Sequence, residues 1–97
     1  MKIELKKFDT LLLSRQAGRE SLAAFQSTLG DLKQNENLEI DFDGVTTFTP
    51  SWADEFLTPL SVQLGDRLVL LPSDNLSVHA TLRILQEANK RPFKIKF

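Results

Sequence analysis

Residues 41–60, DFDGVTTFTPSWADEFLTPL, hold most of the side chains that could do chemistry. Two hydroxyls, Thr49 and Ser51, and two carboxylates, Asp54 and Glu55, crowd the point where a polar connector gives way to a helix expected over 51–64. In open α/β sheets, sites form beyond the carboxyl ends of strands, and a helix start offers free N–H groups to an anion. Ser51 and Thr49 are therefore candidates for phosphorylation, with the helix dipole favouring a phosphate and Asp54 and Glu55 opposing it. A purely structural account competes with this. Ser51-x-x-Asp54 has the form of a capping box, and both acids suit the first turn of a helix. Trp52, the only tryptophan, more often packs down as a core lid at such a place; it can instead anchor a partner.

The remaining candidates are weaker. His79 is the sole histidine, four residues before Arg83 on an expected outward helical face, so no histidine cluster exists for metal or base–nucleophile chemistry. Asp41 and Asp43 flank Phe42 and could join Asp54 around a cation, but read more simply as the solvent side of a strand and a turn former before Gly44. The four glycines stand far apart and match neither nucleotide-binding fingerprint. The absence of cysteine excludes disulfides and thiolate metal sites. An enzyme using Asp54 or Glu55 as general base would need a pocket and an orienting group, and the sequence names neither. No cofactor is implied.

The chain has 97 residues, 41% hydrophobic and 26% charged, which suits one domain spanning 1–97. A formal net charge of −1 argues against a dedicated nucleic-acid binder. Basic residues gather at the two ends: Lys2, Lys6 and Lys7, then Lys90, Arg91, Lys94 and Lys96. They form one patch if the end strands are neighbours; otherwise they are solvated lysines that protect edge strands from pairing. The start of the chain alternates like a strand rather than forming an apolar signal core, and no apolar run is long enough to span a bilayer. The expectation is a cytoplasmic protein without membrane contact.

Residues 2–8 alternate as a half-buried strand, Ile3 and Leu5 on one side and Phe8 on the other. Residues 11–13 form a weak second strand that would leave the first as an antiparallel edge. Ser14 caps a helix whose stripe is Gly18, Leu22, Phe25 and Leu29, with Gly30 at its end and Gly18 allowing close packing on a sheet. A strand over 38–42 ends at Asp43-Gly44, and 45–50 is a threonine-rich connector. The next helix contains Pro59, which should kink it or weaken one turn, and closes at Gly65-Asp66. Residues 67–71 form a buried strand. Ser77 caps a third helix with Val78, Leu82, Leu85 and Ala88 inward, Pro92 stops it, and 93–97 is the last strand. Strands alternating with helices imply an α/β fold: a four- to five-stranded, mostly parallel (mixed) sheet carrying three helices.

The run Ile40-Asp41-Phe42-Asp43-Gly44-Val45, followed by Phe48-Thr49-Pro50-Ser51-Trp52-Ala53-Asp54-Glu55-Phe56-Leu57, resembles a bacterial STAS-like domain family of unknown function, distantly like the anti-sigma factor antagonist (STAS) domains. The likeness covers nearly the whole chain, including Ser14-Arg15-Gln16-Ala17-Gly18, and is most specific over 51–57. It implies a STAS-like fold and a non-catalytic signalling role. The implied partner is a protein, of a kind that carries a histidine-kinase-like ATP-binding domain or acts as an anti-sigma factor. Docking through Thr49, Ser51, Trp52, Asp54 and Glu55 is the corresponding expectation. The chain departs from the antagonist phosphoacceptor turn: the aspartate position falls on Thr49, the usual phosphoserine on Pro50, the next serine on Ser51 and the glycine on Trp52. The alternative is a sensor that binds a small ligand, nucleotide or anion above the carboxyl ends of the strands.

Overall fold

The computed structural model describes residues 1–90 and 92–95. The chain runs β1 (Lys2–Glu4), β2 (Leu11–Leu12), α1 (Arg15–Leu29), β3 (Leu38–Asp41), β4 (Thr47–Phe48), α2 (Pro50–Leu64), β5 (Leu68–Leu70), α3 (Leu76–Asn89) and β6 (Lys94–Ile95). The main sheet has the order β1-β3-β5-β6, all pairings parallel. Each crossover steps the chain one strand in the same direction, so right-handed connections put all three helices on one face. The burial pattern agrees. Ile3, Ile40 and Leu70 lie abreast in the register and are buried, while Lys2 and Glu4, on the alternate positions of β1, are exposed.

β1 and β6 are opposite edges of this sheet, so among the described residues the basic side chains at the two ends do not share a patch; Lys2 and Lys94 are exposed, as edge lysines should be. Arg91, Lys96 and the expected continuation of β6 to Phe97 lie outside the described residues. The expected antiparallel first strand is corrected: β1 is parallel to β3, and residues 11–12 pair instead with β4 in a second, two-stranded parallel sheet. The cause is a 3₁₀ turn at Leu5–Lys7. It breaks the alternation after Glu4 and brings Phe8 against Trp52 and Phe56, on the core side rather than the opposite one.

The first helix begins where its capping residue requires. The Ser14 hydroxyl accepts the Ala17 N–H at 3.0 Å. Gly18, Phe25 and Leu29 are buried on its inner face. Gly18 packs not on the sheet but on the α2 backbone: a Cβ there would stand 2.6 Å from the Trp52 carbonyl oxygen. The helix end at Gly30 has φ −60, so that glycine uses none of its special freedom. In α3 the cap is Asn75, whose Oδ1 accepts the N–H groups of Ser77 and Val78; Ser77 is thus inside the helix rather than its cap. Its inner face is Val78, Thr81, Leu82 and Leu85. Ala88 is exposed, and Thr81 takes a buried place by donating to the Phe48 carbonyl at 2.7 Å. α2 runs unbroken through Pro59, whose ring faces solvent.

Among the described residues every buried side-chain N or O atom has a hydrogen-bond partner, and no helix is long and apolar enough to cross a membrane. Two substitutions probe the packing. Gly18→Ala forces a methyl group against fixed backbone and should cost about 2 kcal/mol or more, read as a melting point lower by roughly 10 °C. Lys90 ends α3 in the left-handed region at φ 50. Lys90→Gly relieves that cost and should raise stability by about 1 kcal/mol in urea titration; an unchanged or lower midpoint would refute the strain.

Candidate functional site

Every candidate around the start of α2 is placed by one cap. Pro50 lacks an N–H and takes the first turn of the helix, where none is needed. The residue before it, Thr49, is extended at φ −106, ψ 155 and serves as N-cap. Its Oγ1 accepts the Trp52 N–H at 3.3 Å and donates to the Leu13 carbonyl at 2.6 Å. This hydroxyl therefore ties the helix start to the strand of the small sheet. The expected capping box of Ser51 and Asp54 does not form, because the helix starts earlier and Ser51 already lies within it. Ser51 is half-buried on the first turn.

Asp54 turns instead along and across the helix. Its Oδ1 accepts the Thr58 hydroxyl at 2.8 Å, and its Oδ2 meets Arg15 Nη1 at 3.0 Å. Glu55 Oε1 lies 3.3 Å from both Arg15 Nη1 and Arg19 Nη1. Two arginines one turn apart on α1 thus straddle two consecutive acids on α2. The Arg15 guanidinium, helped by the Thr58 hydroxyl, holds the Asp54 carboxyl below its ordinary value, and the two carboxylates raise Arg15 in turn. Both acids are half-buried and each is held by at least one arginine of α1.

Trp52 takes the core position that the sequence favours, and its place among the docking residues is corrected. As a partner anchor it would have to face solvent, and it is only 1% exposed. Positions 52, 56, 60 and 64 form one i, i+4 ridge of α2, and all four are buried. The indole stacks on Phe56 at 4.8 Å between ring centres and meets Phe48 at 5.8 Å. Trp52 is a core residue, and any outward surface here is made by its neighbours. Those include two residues the sequence reading passed over: Leu11 and Leu13 flank buried Leu12 and are 50% and 47% exposed.

The sensor alternative needs a crevice above the strand ends. A cleft of about 300 Å³ does lie there, bounded by Asp41, Asp43, Gly44, Pro72, Asp74 and Asn75. Three aspartates make it repulsive to a phosphate, and the strand order never reverses, so it lacks the switch-point geometry that opens nucleotide crevices. Asp41 accepts the Asp43 N–H at 3.0 Å and lies 3.4 Å from the Lys2 ammonium, the turn-forming and solvent-side roles of these two residues. Among the described residues no group of three or more His, Asp or Glu could hold a metal ion. His79 is exposed, with Nε2 against the Ser73 carbonyl.

The low Asp54 value gives a sign for pH. A carboxylate depressed on folding stabilises the native state above its unfolded value near 3.8, and that contribution disappears as pH falls through the depressed value. With the side chain 35% exposed, the effect is worth less than about 1 kcal/mol. Asp54→Asn should flatten the acid limb of the melting-temperature profile below about pH 4 and leave the slope between pH 6 and pH 8, where no carboxylate of ordinary value titrates, unchanged; a wild-type acid limb in the variant would refute the pair.

No curated protein and no solved structure matches the chain. A family model does: the one described as a STAS-like domain of unknown function (DUF4325) matches residues 25–71, the span from the buried end of α1 through β5 that carries the whole capped start of α2.

Proposed function

We propose that this protein is a regulatory, non-catalytic interaction module that docks to a signalling protein through the start of α2. The observation that supports this most is the surface around the Thr49 cap. Leu11 and Leu13 stand half-exposed on the strand that Thr49 holds, beside a first turn that presents Ser51, Asp54 and Glu55. An apolar pair rimmed by mixed charge is the composition of a protein-binding patch. Trp52 contributes by stiffening that turn from beneath, and Thr49 by fixing its angle. The partner we assign, one with a histidine-kinase-like ATP-binding domain, follows from the distant likeness of residues 40–57 to anti-sigma factor antagonist domains. Of the two hydroxyls, Thr49 is committed to the cap, so Ser51 is the one we assign as phosphoacceptor. A phosphate there would sit at the positive end of α2, with Arg15 and Arg19 already masking the acids.

Affinity capture from the native host, with mass spectrometry of the captured proteins, should return a partner bearing such an ATP-binding domain. Titration calorimetry of the purified pair should then show at least about a tenfold loss of affinity for Leu11→Asp/Leu13→Asp, at an unchanged melting temperature. Ser51→Asp should change the affinity as well. Binding that ignores both variants would remove the α2 start as the docking surface.

A further inference from the structure

We infer that the outward face of α3 is an interface between two copies of this chain, related by a two-fold axis near Ile84. Six large apolar side chains are well exposed among the described residues, and Leu76 is the most exposed of them, at 80%. Leu76 and Ile84 lie on a single i, i+4 ridge with Ala80 and Ala88, and all four positions are exposed. The outer face of α1 carries Gln16, Arg19, Glu20, Ala23, Ala24 and Gln26 with no large exposed apolar side chain, and of the large apolar side chains of α2 only Val62 is exposed, so among the three helices α3 alone exposes two on one ridge.

The ridge is self-complementary when run antiparallel to its own copy. With Ile84 against the other copy's Ile84, Ala80 falls opposite the other copy's Ala88. Those small residues on both sides of the crossing let the two helices approach closely. The neighbouring ridge carries Arg83 and Glu87, both exposed. In the same register Arg83 comes beside the other copy's Glu87, and Glu87 beside the other copy's Arg83. One helix thus supplies both members of two ion pairs, which is what an isologous contact requires. This charge match selects a second copy over an unrelated apolar partner. The inference does not rest on the docking surface at α2.

Light scattering on the eluting chain at about 100 μM, where even a micromolar Kd leaves mostly dimer, should give twice the 11.0 kDa chain mass. Ile84→Glu, which sets two like charges on the axis, should return the monomer. Arg83→Glu alone should also do so, and Arg83→Glu/Glu87→Arg should restore the dimer, an outcome that non-specific apolar association would not produce. Because the chain has no cysteine, Ile84→Cys should cross-link to itself under mild oxidation, and Gln63→Cys on α2 should not. A wild-type monomer at that concentration would overturn the inference. So would an Arg83→Glu variant that stays dimeric, or equal cross-linking at both positions.

Discussion

The closeness of α1 to α2 at Gly18 is the constraint on which the rest depends. With backbone against backbone at that crossing, a single missing Cβ sets how far apart the two helices stand. That spacing lets Phe25 of α1 stack on Phe56 of α2 at 6.0 Å, and Phe56 in turn carries Trp52, Phe48 and Phe42 in one aromatic row reaching back to the end of β3. The same spacing puts Arg15 and Arg19 within reach of Asp54 and Glu55 on the solvent side. The aromatic row supplies the binding energy of the helix pair, since buried rings bury the most area per residue and gain a little more from their geometry. The exposed ion pairs add little energy. They fix which way the outer surface of the pair is charged.

A second constraint acts at right angles to the first. The threonine-rich connector before α2 would be a loose loop were its backbone groups not taken up by side chains. Asn75 Nδ2 donates to the Val45 and Thr46 carbonyls, the Phe48 N–H donates to Ser77, and Thr81 donates to the Phe48 carbonyl. The start of α3 thereby holds β4, β4 holds β2, and Thr49 closes the circuit to Leu13. Four short polar side chains convert two-residue strands, too short to persist by themselves, into a rigid end of the domain.

These two constraints also explain what the sequence did and did not disclose. The α1 stripe was legible because Gly18, Phe25 and Leu29 follow the helical period and Ser14 is a strong cap. The alternation of strand and helix made the parallel sheet readable in the same way. β4 was not legible: two residues inside TTFTP carry no period, and only pairing with distant residues 11–12, held by the hydroxyls of Ser77 and Thr81, makes them a strand. The start of α2 could have been placed better, since Pro50 prefers the first turn and points to Thr49 as the cap. For α3 the sequence offered two equally good caps, Asn75 and Ser77, and only the structure decides for Asn75. The burial of Trp52 was also written in the chain, through its four-residue spacing to Phe56, Leu60 and Leu64, and the core reading, weighed above the anchor, is the one the structure bears out. Contacts that depend on two distant segments, such as Arg15 with Asp54, had no local signature at all.

The rigidity of the α2 start limits how a regulatory event there could act. Trp52 is locked beneath the first turn by stacking, and the Thr49 cap holds that turn from the other side. A phosphate on Ser51 would therefore meet a helix end that is already capped and whose acids are already paired, so it has little to melt and little to order. Its effect would be to add negative charge to a fixed surface beside Leu11 and Leu13. A partner that reads this surface would then discriminate the two forms by electrostatics and desolvation at the rim, with the backbone beneath unchanged. A switch of this type needs no second conformation of the module, and a core built as tightly as the one under α2 would resist supplying one.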